Sequence, residues 1–367
     1  MFSGLASSWA PFLVATASVL KPGGRMAFVV PAEIGHAPYA QPVLEFFVRN
    51  FSVVHVVAHR QKLFPRLSED CWLLFADGFG GSTENIRFSA LEAFRPSTAP
   101  PKQFQRVPVV EWRDLWCGRL RPYLLSSACR ALYQEVANEE RSSRFGDLAS
   151  VGIGYVTGAN DFFHLRPSDA ERLGIPRRFL MPSVRRGGSL PARAVTQATL
   201  RAWEAHDEQM LLLHLLATDP LPRNIARYLD TPEGQEARTA FKCRTRAPWY
   251  AVPDVQVPNF FLSYMSGLEP SLVRNAAGCT CTNSVHAVRL KGAASPRHMQ
   301  AAWGTDFVRL SAEIQGHPLG GGMLKLEPRE ATQIIIPDAD LFEAVASEEV
   351  TLGLQEMRRW RGVGNGV

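Results

Sequence analysis

The stretch that most constrains this chain is residues 20–34, LKPGGRMAFVVPAEI. It reads as the end of a helix, a Gly23-Gly24 turn, an apolar strand and a proline that stops the strand. A run such as RMAFVV is the type expected to be buried on both faces of a parallel α/β sheet. Such a strand needs neighbours, yet only one helical segment, residues 9–20 (WAPFLVATASVL), precedes it. Where the rest of the sheet lies is the first question the sequence raises.

Part of the answer follows at once. YAQPVLEFFVRNF has helical spacing, with Val43, Leu44, Phe47 and Val48 on one apolar face. SVVHVVAH and CWLLFAD read as further strands, and NIRFSA as a fourth. The order β–α–β–loop–β is half of an α/β sheet. RPSTAPPKQFQRVP, residues 95–108, contains four prolines and reads as a linker or domain boundary. VEWRDLW and SSACRALYQEVANE read as connecting helices. From about Ser143 the pattern is β-rich, beginning with LASVGIGYVTGANDFFHL and continuing with short strands at APWYAVP, NFFLSYM and SVHAVRL. WGTDFVRLSAEIQGH reads as an amphipathic helix. A glycine turn and two short extended segments around EPREA come next, then a closing helix, VTLGLQEMRRWRG.

Charge separates the two halves. The chain carries a net +5, and residues 172–201 hold seven arginines and no acid. Residues 236–297 hold eight Lys/Arg against three Asp/Glu, interleaved with aromatics. That is the footprint of a surface for nucleic acid, with scattered solvated arginines as the plainer alternative. None of the six cysteines forms a CxxC, and no histidine pair follows at finger spacing. Cys279 and Cys281 form a CxC, for which two small residues in a strand are the commoner reading than half a metal site. Free thiols suit a reducing, cytoplasmic setting. The apolar stretch Leu5–Leu20 is short for a membrane span and lacks a basic leader, so a core helix is expected. GxSxG, HExxH, Walker and GxGxxG motifs are all missing.

Three segments together resemble the adenine-specific N6 DNA methyltransferases of restriction–modification systems, in the gamma-type motif order. They are SSWAPFLVATASVLKPGGRMAFVVPAEIGHAPYAQPVLEFFVRNFSVVHVV, then KLFPRLSEDCWLLFADG, then VGIGYVTGANDFFHL with GGGMLKLEPREATQIIIP. The resemblance implies the C-terminal half of a Rossmann-like methyltransferase sheet followed by an α+β target-recognition domain. RMAFVV resembles strand five of seven, SVVHVV strand six and CWLLFA strand seven. The implied boundaries are 1–94 for the partial catalytic domain, 95–142 for the linker and connecting helices, 143–340 for DNA target recognition and 341–367 for a C-terminal helix. In the family an aromatic between the last two strands stacks on the extruded adenine, and that position falls on Phe64. Replacing lost base stacking with an aromatic face is sound chemistry. Pro31 is expected to shape the same pocket. Capping of the core by Phe64, and strand termination by Pro31, are the structural alternatives.

The resemblance further implies S-adenosylmethionine as cofactor and double-stranded DNA as partner, with no membrane association. The hydrogen-bonding and cationic residues expected at DNA are Tyr155, Thr157, Asn160, Arg244, Arg246, Asn283 and His286, with Trp249 and Tyr250 beside them. The sequence departs from the family in two places. It contains no Asn-Pro-Pro or Asp-Pro-Pro, and no glycine-rich cofactor turn ahead of Trp9. No catalytic, cofactor-binding or metal residues are therefore assigned. The chain is expected to be inactive alone, either a truncated frame or one that works with a second polypeptide carrying the cofactor half. A non-catalytic DNA-binding specificity protein is the competing reading.

Overall fold

All four strands read between residues 25 and 91 form, but they pair in a mixed sheet. The computed structural model describes residues 7–363, so Leu5 and Ala6 of the N-terminal apolar stretch lie outside the described residues. The first elements are α1 (Trp9–Ala17), β1 (Arg25–Pro31), α2 (Ala40–Asn50), β2 (Phe51–His59), β3 (Cys71–Phe79) and β4 (Asn85–Leu91). A fifth strand, β5 (Gln105–Pro108), comes from the segment that composition marks as linker. Its one proline, Pro108, suits the sheet's edge, where a missing N–H costs little.

The strand order is β1-β3-β2-β4-β5. β3 runs antiparallel to both β1 and β2, so β1 and β2 share a direction. β2 pairs parallel with β4, and β5 antiparallel with β4. One face carries Met26, Val30, Val54, Val56, Leu74, Ile86 and Phe88, all buried. The apolar stripe of α2 (Val43, Leu44, Phe47, Val48) is buried as well, and Phe47 stacks on Phe51 at 5.2 Å. Full burial of each large side chain here contributes about 1.5–3 kcal/mol.

The expectation that RMAFVV is buried on both faces is corrected. β1 is the terminal strand of the sheet, and its side chains alternate between buried and open. Val29 is 50% exposed, and Arg25 and Ala27 share its open face. A continuous apolar run does not distinguish a two-sided strand from an edge strand whose second face lacks a cover.

The chain divides into two compact units. The first takes the chain up to Glu139, Arg309–Lys325 and the chain from Glu343 onward; the second takes Glu140–Val308 and Leu326–Phe342. Residues 309–325 thus group with the first unit, where the sequence reading placed them within 143–340. A buried ion pair ties the two returning segments to each other. Arg361 donates to both carboxylate oxygens of Glu313 at 2.6 and 3.1 Å, and both side chains are at most 1% exposed. The connecting helix Ser127–Asn138 is capped by Ser126, whose hydroxyl accepts from the Cys129 N–H.

The second unit contains a five-stranded sheet. Its order is Ala194–Val195, Leu272–Asn275, Phe260–Ser263, Val285–Leu290 and Ala149–Ile153. A four-stranded sheet orders Thr280–Cys281, Leu180–Val184, Leu211–Leu213 and His164–Leu165. APWYAVP does not form a strand. Pro248 and Pro253 remove ladder donors, and Trp249 and Tyr250 pack instead against the cluster around Phe162 and Phe163. Cys279 and Cys281 are buried, and burial pushes both thiols up to about 12. The architecture is mixed α/β with several mixed sheets. Among the described residues no helix is long and apolar enough to cross a membrane.

Candidate nucleic-acid interface

In the second unit, the glycine-rich segment after residue 149 and the basic segment after residue 241 come together. They line a groove of about 600 Å³ that includes Gly152, Ile153, Lys242, Arg246, Asp254 and Arg289. Three cations there face one carboxylate. The strand Ala149–Ile153 is terminal in its sheet, and Ile153 is 60% exposed. A Cβ at Gly152 would meet nothing within 4 Å, so the groove floor is bare backbone. Gly154 serves a different need. A Cβ there would sit 2.2 Å from the Cys281 carbonyl oxygen, so only glycine lets the chain pass into the Tyr155–Thr282 bridge.

The residues that sequence reasoning placed at DNA divide into two groups. Tyr155 is 2% exposed and sits in a closed hydrogen-bond chain. Ser183 donates to the Tyr155 hydroxyl at 2.6 Å, which donates to His164 Nε2 at 2.7 Å. His164 Nδ1–H donates to the Asn160 carbonyl at 2.8 Å, and this network assigns the tautomer. Thr157 is buried and donates to the Asn160 side chain at 2.6 Å. Arg246 donates to the carbonyls of Val156 and Thr157. Trp249 packs on Phe162 at 5.7 Å, and Tyr250 is half-buried beside it. His286 is fully buried, with Nε2–H donating to the Leu326 carbonyl at 2.7 Å.

These groups shape the loop that borders the groove, and their polar atoms face the protein interior, where only His286 Nδ1 among the atoms named lacks a partner. The exposed members are Asn160, Asn283 and Arg244, the last lying over the Phe241 ring at 5.4 Å. A second concavity of about 460 Å³ gathers Arg166, Arg185 and Arg186 with Ser189 and Trp203. It takes two of the arginines of residues 172–201, Arg185 and Arg186, of which Arg185 is held by Asp161 and Gln209.

In the first unit, a smaller cavity opens where β1 and β2 end. Pro31 lines it, together with Trp72, His36, His59, Asp70 and Arg121. Phe64 stands in the β2–β3 loop, 47% exposed, outside that lining. Gly35 makes the cavity wall possible, since a Cβ there would lie 2.3 Å from the Trp72 ring. His36 and His59 escaped the sequence reading. His59 does leave one signal, a polar residue closing the apolar run Val56–Ala58, but its approach to His36 has none.

Comparison with known proteins assigns the class. Residues 118–361, more than half of the chain, match the model of the type II methyltransferase M.Eco57I C-terminal domain, and the chain belongs to that family. The type II methyltransferase M.AccI of Acinetobacter calcoaceticus is 20% identical over 363 residues, 95% of this chain and 65% of that protein. Two solved structures are similar. The type IIG restriction endonuclease BpuSI gives a TM-score of 0.42 at 15% identity, over 96% of this chain and 48% of its own. The type IIL restriction-modification enzyme MmeI, solved in complex with DNA, gives 0.45 at 11% identity, over 97% and 49%. The chain therefore spans about two thirds of the curated relative and about half of each solved one.

Proposed function

We propose that this chain is the target-base and DNA-recognition portion of an adenine-N6 DNA methyltransferase of a restriction–modification system. Membership of the M.Eco57I C-terminal family carries the reading. The cationic groove beside Gly152 supports it, because Lys and Arg side chains neutralise phosphates. In this reading β1, β2 and β3 are the last strands of the methyltransferase sheet, and the open edge of β1 receives the half that binds cofactor. Residues 143–308 read DNA. Arg244 and Asn283 touch it, Lys242 and Arg289 neutralise phosphates, and Tyr155, Thr157, Asn160, Arg246, Trp249, Tyr250 and His286 hold the reading loop in shape. Phe64 stacks on the extruded base, and Pro31 shapes the pocket wall. The setting is cytoplasmic.

The methyltransferase family implies S-adenosylmethionine, which supplies the methyl group. The residues present do not fit it. The cavity at the carboxyl ends of β1 and β2 holds about 90 Å³, well below the roughly 300–1,000 Å³ of sites for molecules that large. The larger groove on the same sheet, about 640 Å³, lies over Arg25–Ala27 at the amino end of β1. Open α/β sheets bind their ligands beyond the carboxyl ends. With no Asn/Asp-Pro-Pro loop either, methyl transfer is assigned to residues outside this sequence, and the chain alone is inactive.

Native mass spectrometry of the chain co-expressed with the polypeptide encoded upstream, with and without S-adenosylmethionine, tests the reading. A heterodimer that binds cofactor and methylates DNA is expected. Salt-dependent duplex binding without cofactor uptake or methyl transfer in any such mixture would replace it with a non-catalytic specificity protein. Failure to bind duplex DNA at low salt would remove both.

A further inference from the structure

The register of the first sheet puts Ala27, Phe75, His55 and Arg87 side by side in one row across β1, β3, β2 and β4. The row lies on the sheet's open face and borders the groove of about 640 Å³ at the amino end of β1. The opposite wall is the segment that returns from β4 to β5, residues 97–104. That segment is fastened to the same row. Ser89 donates to the Gln103 carbonyl at 2.7 Å, Phe104 meets the His55 ring edge-on at 5.5 Å, and the Arg87 guanidinium lies over the Phe104 ring at 4.8 Å.

Three groups along this row have capacity to spare. The hydroxyl proton of Ser89 is spent on Gln103, so His55 Nε2–H must be the donor in the 2.9 Å bond to Ser89 Oγ. His55 Nδ1 therefore holds a lone pair, and no donor meets it among the described residues. Arg87 forms no ion pair among the described residues, and stacking over Phe104 leaves its in-plane N–H groups open. Lys102 is exposed on the same rim. The groove's one carboxylate, Asp77, is already answered by Arg25 at 3.8 Å. What remains is an acceptor beside two uncompensated cations, next to the apolar surface of Ala27, Val53 and Phe75. An occupant that satisfies all of it is flat and apolar at one end, and carries a donor and an anionic group close together at the other.

We propose that this groove binds a small planar aromatic acid whose N–H or O–H donor stands beside its carboxylate. The ring lies over Ala27 and Phe75, the donor meets His55 Nδ1, and Arg87 with Lys102 holds the carboxylate. The volume lies within the roughly 300–1,000 Å³ of sites for small molecules. An α/β sheet holds the ligands of its reaction beyond the carboxyl ends of its strands, so an occupant at the amino ends is not a reactant. Its effect is to tie the row to the returning segment and so to stabilise the first unit. The inference is independent of the methyltransferase reading.

Side-chain ¹⁵N NMR of the full chain with indole-2-carboxylate tests it. The His55 Nδ1 resonance is expected to shift saturably, and the melting temperature to rise with the concentration of the acid. Two relatives each lack one feature: 1-methylindole-2-carboxylate has no N–H, and indole-2-carboxamide no charge. Each is expected to bind at least about tenfold more weakly, as for loss of one buried hydrogen bond or one ion contact. Lys102→Gln, at an exposed position, is expected to leave the melting temperature of the free chain unchanged and to weaken the acid more than the amide. If His55 ignores indole-2-carboxylate up to its solubility limit, the proposal falls. Equal binding of all three compounds would show only an apolar surface and would overturn it too. So would loss of the response once a co-expressed upstream polypeptide is bound, because the groove would then be an interface between chains.

Discussion

His164 in the second unit and His59 in the first are both buried, and burial lowers the proton affinity of each. Their surroundings are opposite. Both nitrogens of His164 are committed, to Tyr155 and to the Asn160 carbonyl, within a chain that ends at Ser183. Neither nitrogen of His59 has a partner. A lowered proton affinity therefore does not separate a fully partnered histidine from an unpartnered one. The contrast is local and does not divide the two units: Tyr155, Thr157 and His164 are partnered and give the loop its shape, while Thr280 Oγ1 and His286 Nδ1 in the same unit are buried without partners.

The sharpest way to probe the satisfied class is to break its strongest member. Glu313→Ala leaves the Arg361 guanidinium, which is fully buried, without its carboxylate. A loss of about 3–5 kcal/mol in denaturant-derived stability is expected. Glu313→Ala as stable as the parent would show that the pair is dispensable.

Acid should reveal the buried histidines together. His55 and His164 are each held down to about 4 by desolvation, against 6.5 in the unfolded chain. Their folded pKa is depressed, so the unfolded state binds more protons between pH 6.5 and 4. Stability is then full above pH 6.5 and falls as pH drops toward 4, by up to about 3 kcal/mol for each residue. His164→Gln should flatten that slope. An unchanged slope between those pH values would mean that His164 does not titrate as its burial requires.

Tyr155→Phe removes the central hydroxyl of the partnered chain and strands Ser183 and His164. A cost of about 1–3 kcal/mol is expected, with DNA affinity reduced through the loop rather than through a lost contact. His59→Leu, which removes two unpartnered buried atoms, is expected to raise the melting temperature instead, and equal effects of the two substitutions would dissolve the comparison.

The smallest effects belong to the exposed cations. Arg244→Ala should lower the slope of log affinity against log salt by about 0.9 for duplex DNA and leave the melting temperature unchanged. Arg246→Ala should lower the melting temperature, because this guanidinium ties the Val156 and Thr157 carbonyls. Identical behaviour of the two arginines would mean that their different surroundings carry no functional weight.

Most secondary structure was legible in the sequence, because periodicity and breakers act within a few residues. α2 follows from Val43, Leu44, Phe47 and Val48 at helical spacing, and β2 to β4 follow from short apolar runs between turns. APWYAVP misled because its aromatic content resembles a strand while Pro248 and Pro253 forbid the ladder. The candidate site was legible only in outline. The basic and glycine-rich segments were picked out, and they do meet at one groove. Within them, Tyr155 and Thr157 were chosen for hydrogen-bonding chemistry that the fold consumes internally, and His286 is fully buried with Nε2 spent on the Leu326 carbonyl. Residue type states what a side chain can bond, and only its neighbours decide whether that capacity is already used.

The sequence by itself determined the family, the α/β elements and the charge asymmetry. Each of these is written in local composition or in motif order. Only the tertiary structure decided that β1 lies at an open edge, that residues 105–108 complete its sheet, and which histidines are left unpartnered. Those properties depend on contacts between residues far apart in the chain, such as β1 with β3 or His36 with His59 across one cavity. Hydrogen bonds and burial are settled by distance in space, and no spacing along the sequence encodes them.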